Sequence, residues 1–337
     1  RVLSLNFCAL STAKGMKLIM IIWHISNDTE AWEIEVGPVT VLKGYDSLWY
    51  KLIRLIEDYF INKQSTVKIF EDTQPLFLKD WECFFIPFDA HLQFDKIAAK
   101  SPLRDMQEQI CEELALSHVY QELQEVWGEL EEELLFIKNK FAKYEVGVKL
   151  KPFESNNLQS FISLFAEKQM MTPIDYKIML LKLLSNKELE KRRLILIEFP
   201  ELYADNSQVI EFMENINLLA SMGTKIIIVT NQKTTKHCNY VCNGEIINEA
   251  RLENIKRKVI NEVPFICDEL TFIQAKNSLL RAVDNFEFNN KFLTLSSMQN
   301  EKILVLVFVM LFHLDISVNL DMTGISGNLK EFLKCYY

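Results

Sequence analysis

The chain has 337 residues, 49% of them hydrophobic, with only 9 glycines and 8 prolines and a formal charge of −9. That length exceeds one ordinary hydrophobic core and predicts two or three domains, while the composition excludes a long disordered or low-complexity chain in favour of a helix-rich globular one. Seven cysteines without regular spacing exclude a disulfide framework and read as reduced thiols of a cytoplasmic protein.

The chain opens at Arg1, whereas Met16 followed by "KLIMIIWHI" looks like a natural start, so residues 1–15 are expected to be foreign to the native sequence. "VLSLNFCAL" lacks a convincing cleavage site and is not read as an export signal. The next stretch, "GPVTVLKGYDSLWYKLIRLI" (37–56), runs from an apolar strand (Val39, Val41, Leu42) through Gly44 and a short loop to an amphipathic helix with Leu52, Ile53, Leu55 and Ile56. That is the order of a phosphate-binding loop. Its chemistry is damaged: the position six residues after Gly44 holds Tyr50, the lysine is displaced to Lys51, and Ser47, Leu48 and Trp49 stand where small residues should converge on phosphate. No Ser or Thr follows the lysine to hold magnesium. An ordinary strand and helix with no nucleotide history is the other reading, and both predict little ATP turnover.

From Leu116, apolar residues recur at alternating steps of four and three: Leu116, Tyr120, Leu123, Trp127, Leu130, Leu134, Ile137 and Phe141. This is a heptad seam held for about 26 residues, which predicts a helix roughly 39 Å long. "NLQSFISLFAEKQMM" and "PIDYKIMLLKLLSNKELEKRR" read as further helical stretches, so an elongated antiparallel helical bundle is expected over about 101–190.

Charge is segregated along this region. Nine glutamates and no Lys or Arg lie between Gln107 and Glu133, and then Lys138, Lys140, Lys143, Lys149 and Lys151 stand against Glu145 alone. Such lysines suit sequence-independent contact with phosphates. They also suit a solvated helix end that complements the helix dipole. Lys187, Lys191, Arg192 and Arg193 form a second basic patch, with Lys51 and Arg54 as further candidate DNA contacts. Glu129 and Glu133, one helical turn apart, are the candidate metal ligands, against the reading of a solvated acidic face.

Beyond the bundle, "RRLILIEFPEL" gives an apolar run from Leu194 to Ile197 that ends at Glu198. A helix (Val209–Ala220) then leads through Gly223 to "KIIIVTN", a parallel βαβ pattern. The Asn-Gly pair of "YVCNGEII" predicts a hairpin, followed by a helix. His237, Cys238 and Cys242 in "HCNYVC" read as buried thiols in the absence of a second pair at zinc spacing. "ILVLVFVMLF" (303–312) is too short to span a bilayer and is expected to be a buried strand or core helix, with no membrane contact. The histidines are scattered, and no carboxylate cluster marks a strand end, so no catalytic constellation is expected.

Together these elements resemble the core of an ABC-type ATPase. On its "four apolar residues, Asp, Glu, Pro" strand, Glu198 falls at the aspartate, Phe199 at the catalytic glutamate and Pro200 at the proline, and a phenylalanine cannot polarise water. The expected architecture is α/β: a degenerate P-loop/ABC-ATPase-like head (16–100 and 190–260), a helical leg (101–189) and an additional C-terminal domain (261–337). With "GPVTVLKGYDSLWYKLIRLI", the acidic helical insertion and "RRLILIEFPELYADNSQVIEFMENINLLASMGTKIIIVTN", the sequence resembles the ring-forming adaptation protein of type II-A CRISPR systems, the spacer-acquisition subunit, in its longer subfamily. The resemblance implies a non-enzymatic homotetrameric ring whose lysine-lined channel holds linear double-stranded DNA, with calcium as the implied ion. The CRISPR integrase and effector nuclease are candidate partners. The alternatives are an ABC or chromosome-maintenance type ATPase acting on DNA, and a protein-only scaffold.

Overall fold

The structure, a computed structural model, describes residues 21–44, 47–93, 101–141, 144, 147–165, 171–186, 190–231, 238–284, 292–293, 298 and 300–336. The expectations for residues 1–15, for Lys143, for Lys187 and for His237 lie outside the described residues. The chain divides into two compact units: residues up to Phe88 with those from Glu188 onward, and Asp89–Lys187. The fold is mixed α/β.

In the first unit, alternation of apolar and polar residues sets the first strands. β1 (Ile21–Ser26) turns inward Trp23 and Ile25, and pairs antiparallel with β2 (Ala31–Val36), Trp23 opposite Ile34. The turn between them is closed by the Asn27 side chain, whose Oδ1 accepts from the Thr29 and Glu30 amides at 3.0 and 2.8 Å. β3 (Val39–Gly44) then leads to α1 (Leu48–Ile61), which buries Leu48, Leu52, Ile53, Ile56 and Phe60 on one face. β4 (Lys68–Glu71) and β5 (Gln74–Pro75) complete a four-stranded antiparallel sheet of order β2-β1-β4-β5, and β6 (Trp81–Ile86) follows.

The second unit begins its helices with α2 (Pro102–Ala115), where Ser101 Oγ accepts from the Leu103 amide at 3.3 Å. The chain breaks at Leu116 and Ser117 before α3 (His118–Phe141), so the long helix starts two residues inside the expected seam. α4 is a single turn (Ser155–Leu158), and α5 (Pro173–Ser185) opens with a capping box between Thr172 and Asp175. The helix expected over "NLQSFISLFAEKQMM" therefore ends at Leu158, and residues 159–165 are non-helical. α2 packs on α4 and α5. α3 does not form the expected antiparallel helical pair: among the described residues its seam meets the irregular return segment. Tyr120 and Trp127 lie 5.5 and 5.1 Å from the Phe153 ring, and Trp127 Nε1 donates to the Lys151 carbonyl at 3.0 Å. Two aromatic residues satisfy the seam locally, and Leu123, Leu130, Ile137 and Phe141 stay exposed.

The first unit resumes with β7 (Arg192–Glu198), α6 (Asn206–Ser221) and β8 (Lys225–Val229), followed by β9 (Cys238–Cys242) and β10 (Glu245–Ile247). They build a six-stranded sheet of order β10-β9-β3-β8-β7-β6, parallel except for β10. Leu194–Ile197 and Ile226–Val229 are covered on both faces, as unbroken apolar runs in a parallel sheet require. Asn243 and Gly244 have φ of +49° and +83°, the left-handed pair of a two-residue hairpin turn.

The chain continues through α7 (Glu249–Glu262), α8 (Glu269–Asp284), β11 (Phe292–Leu293), α9 (Glu301–His313), β12 (Asn319–Leu320) and α10 (Gly327–Lys334). "ILVLVFVMLF" is the body of α9, capped by Asn300, whose Oδ1 accepts from the Ile303 amide at 2.9 Å. Ile303 to Leu311 are all buried, as an apolar helix without a polar face demands. This helix shares one core with Phe272 and Leu279 of α8 and with Tyr240, Cys242 and Ile247 of the hairpin, so the C-terminal residues are built onto one edge of the sheet. A buried ion pair between Lys43 of β3 and Asp284 of α8 ties them together. Among the described residues no helix is long and apolar enough to cross a membrane.

Candidate functional site

In a parallel sheet the carboxyl ends of the strands share one edge, so Gly44 at the end of β3 and Phe199 just after β7 lie along the edge where α/β proteins bind ligands. Gly44 has a packing reason of its own: its φ is +151°, and a Cβ there would stand 2.2 Å from the Val241 carbonyl oxygen of β9. The glycine serves close approach of two strands. At the start of α1, Trp49 meets Phe199 edge to face at 4.9 Å, and Tyr50 packs edge-on to Trp49 at 5.7 Å. Phe199 takes a φ of +39°, uncommon for an aromatic residue, and its amide donates to the Val229 carbonyl at 2.8 Å.

Glu198 is fully buried and already engaged. Its Oε2 accepts from the Phe88 amide at 3.2 Å, and its Oε1 lies 3.4 Å from Arg54 Nη2. Arg54 also donates through Nη1 to Glu57 at 2.9 Å and lies 4.3 and 5.1 Å from the Phe85 and Tyr50 rings. Burial opposes the guanidinium charge, yet the Glu57 hydrogen bond and the Glu198 and Glu57 charges outweigh it, so the Arg54 pKa is raised. Lys51 turns the other way, to Glu30 and over the Trp32 ring at 4.9 Å. The two candidate DNA contacts on α1 are thus engaged within the first unit.

The second basic patch does not form one surface. Successive side chains of a strand point to opposite faces. Arg192 is half-exposed, 3.3 Å from Glu71 and 4.3 Å over Trp81. Arg193 is fully buried, 3.4 Å from Glu82 and 5.9 Å from the Phe84 ring, which removes it from any phosphate-contacting surface. Lys191 is exposed. Glu71 gathers Arg192, Lys225 and the Trp23 indole; burial raises its pKa, but these partners prevail and hold it below the usual carboxylate range.

The helical unit is different. Lys138 and Lys140 end α3, and Lys149 and Lys151 follow on the return segment; all four are exposed, and among the described residues none is ion-paired. Because the Lys151 carbonyl is anchored at Trp127, the lysines spread along the helix over about 20 Å. Glu129 and Glu133 are exposed on α3. Two carboxylates supply at most about four of the six to eight oxygens calcium takes. Among the described residues no group of three or more His, Cys, Asp or Glu is placed to hold a metal.

The sequence puts bulky Trp49 in the loop and Phe199 at the strand end, but it does not show that they meet or that Arg54 reaches Glu198. The Trp49–Phe199 contact and the Arg54–Glu198 pair join residues some 150 positions apart, and no local pattern announces them.

No protein-family model matches the chain, and no curated protein matches it in sequence. Among solved structures, the crystal structure of Stu0660 of Streptococcus thermophilus is similar in fold, with a TM-score of 0.54 and 14% identity over 93% of this chain and 99% of that one. At that identity the likeness bears on the fold alone.

Proposed function

We propose that this chain is a non-enzymatic protein that binds double-stranded DNA without regard to sequence, assembles as a homotetrameric ring, and takes part in acquisition of new CRISPR spacers. The observation that carries DNA binding is the row of exposed lysines, Lys138, Lys140, Lys149 and Lys151, none ion-paired among the described residues. An ammonium on a flexible stem finds phosphate oxygens without fixed geometry. The degenerate ABC-ATPase reading of the first unit is supported by the shared strand edge and by the contact there between Trp49 and Phe199, the residues that the sequence resemblance aligns with the phosphate loop and the catalytic carboxylate. The ring, the CRISPR role, the integrase and effector nuclease as partners, and calcium rest on the sequence resemblance. Calcium in such a ring would draw on carboxylates beyond Glu129 and Glu133.

Affinity for duplexes of unrelated sequence, measured against salt, tests the binding. It is expected to be equal among sequences and to fall by about 10³ to 10⁵ between about 50 and 200 mM salt for roughly 6 to 10 phosphate contacts. Sequence preference or a flat salt response overturns it. A plasmid compared before and after a single cut tests the ring, since a closed toroid threads only from an end; equal binding to the closed circle overturns threading. No ATP hydrolysis above background is expected, and turnover abolished by Glu198→Gln overturns the non-enzymatic reading.

A further inference from the structure

α3 carries a second surface that DNA cannot use. Val119, Leu123, Val126, Leu130 and Ile137 are between 44% and 64% exposed. At 3.6 residues per turn they fall within an arc of about 60° on one face, a heptad seam ready to receive the side chains of another helix. The adjoining stripe, Tyr120 and Trp127, is the one docked on Phe153, so the chain covers one side of the helix and leaves this one bare. Beside the bare seam stand Glu122, Glu129 and Glu133, and further round Glu125, Glu131 and Glu132. Of these six, only Glu122 has a charged partner among the described residues, His118 at 3.1 Å on the same helix.

We propose that this face is the docking surface for a basic amphipathic helix of a partner protein. The seam supplies the apolar contact, and the glutamates select the partner's charge. Laying a second α3 on it in parallel would bring Glu122, Glu129 and Glu133 of the two copies together, and like charges across a helix pair disfavour that register. A polyanion is repelled for the same reason. A helix with Leu and Ile on its seam and Lys or Arg beside it meets both the apolar and the electrostatic demand.

The probe is a synthetic helix of four heptads with Leu and Ile at the seam and Lys flanking it, labelled for fluorescence anisotropy against the full-length protein. Two controls accompany it: the same peptide with Glu for every Lys, and a scramble of identical composition without the seam. Only the ordered basic peptide is expected to bind, and Leu123→Asp with Leu130→Asp should weaken it by at least about tenfold. Glu122→Lys, Glu129→Lys and Glu133→Lys together should transfer preference to the acidic peptide, a gain that misfolding cannot produce. Equal binding of the scramble, no binding of the ordered peptide, or retained preference for the basic peptide after the triple reversal overturns the proposal. So does a fall in solution mass on Leu123→Asp, which would make the seam a contact between copies. DNA affinity is read alongside in each variant and is expected to survive the leucine changes, so this surface and the lysine row fail separately.

Discussion

Two sets of positive charges, one in each unit, are used in opposite ways. In the first, Lys51, Arg54, Arg192, Arg193 and Lys225 each face a carboxylate and lie over an aromatic ring. In the second, Lys138, Lys140, Lys149 and Lys151 are exposed and have no carboxylate partner among the described residues. A cation taken out of water must carry its counter-charge with it. A cation meant for a ligand leaves that place open. Basic clusters that look alike in composition therefore separate: Lys138, Lys140, Lys149 and Lys151 form a surface that can take phosphate, whereas Arg192 and Arg193 are braces.

The largest effect that can break this comparison is at Arg193. Its side chain is fully buried while Glu82 is 31% exposed, so Arg193→Ala is expected to cost about 2–4 kcal/mol in urea unfolding, chiefly through the cavity that a fully buried side chain leaves. Arg192→Ala, at a half-exposed pair on the opposite face, should cost about 0–1 kcal/mol. Equal losses at the two positions would mean that strand alternation does not decide their roles.

Next comes Gly44→Ala. A Cβ at 2.2 Å from the Val241 carbonyl, on a backbone with φ of +151°, should destabilise by about 1–3 kcal/mol. An unaltered unfolding midpoint would return this glycine to a purely phosphate-binding explanation.

These two residues also mark how far the sequence was legible. The parallel βαβ unit, the Asn-Gly hairpin and α3 could be read because each is carried by a local period or turn pair. The antiparallel sheet from Ile21 to Pro75 was not read, since its strands alternate over only four to six residues and pair across separations of up to about 50 positions. α9 stayed ambiguous between strand and helix because an unbroken apolar run has no period. At the strand edge, the pattern marked Glu198 and Phe199 as misfits to a nucleotide site. Their actual neighbours, Arg54 and Trp49, come from a helix that precedes the whole second unit. Periodicity could announce the seam of α3 but not that Tyr120 and Trp127 would dock on Phe153 while Leu123, Leu130, Ile137 and Phe141 stay exposed.

Acid should act on the first unit through Glu71. Its pKa is lowered in the folded protein, so its stabilisation is fully present above the ordinary carboxylate value of 4.5 and is lost as pH falls through the folded value. Glu71→Gln is expected to destabilise at neutral pH, and the gap to the unaltered protein should close progressively below pH 4.5 in thermal unfolding. A gap that stays constant down to the acid transition would show that Lys225 and Arg192 do not depend on the Glu71 charge.

The smallest effect on stability is expected in the helical unit, and it separates the two readings of the lysines. Lys138 lies in the last turn of α3, where a positive charge complements the helix dipole by about 0.3–1 kcal/mol, whereas Lys149 lies outside any helix and has no such role. Lys138→Gln should therefore lower the unfolding free energy slightly, and Lys149→Gln should leave it within about 0.5 kcal/mol. If both lysines meet phosphate, each change should lower the slope of log affinity against log salt by about 0.9, regardless of its effect on stability. A slope that falls for Lys149→Gln while stability holds assigns the charge to DNA, because no interaction inside the protein is lost with it. A slope unchanged in both variants, with a stability loss only at Lys138, reduces the row to a solvated helix end.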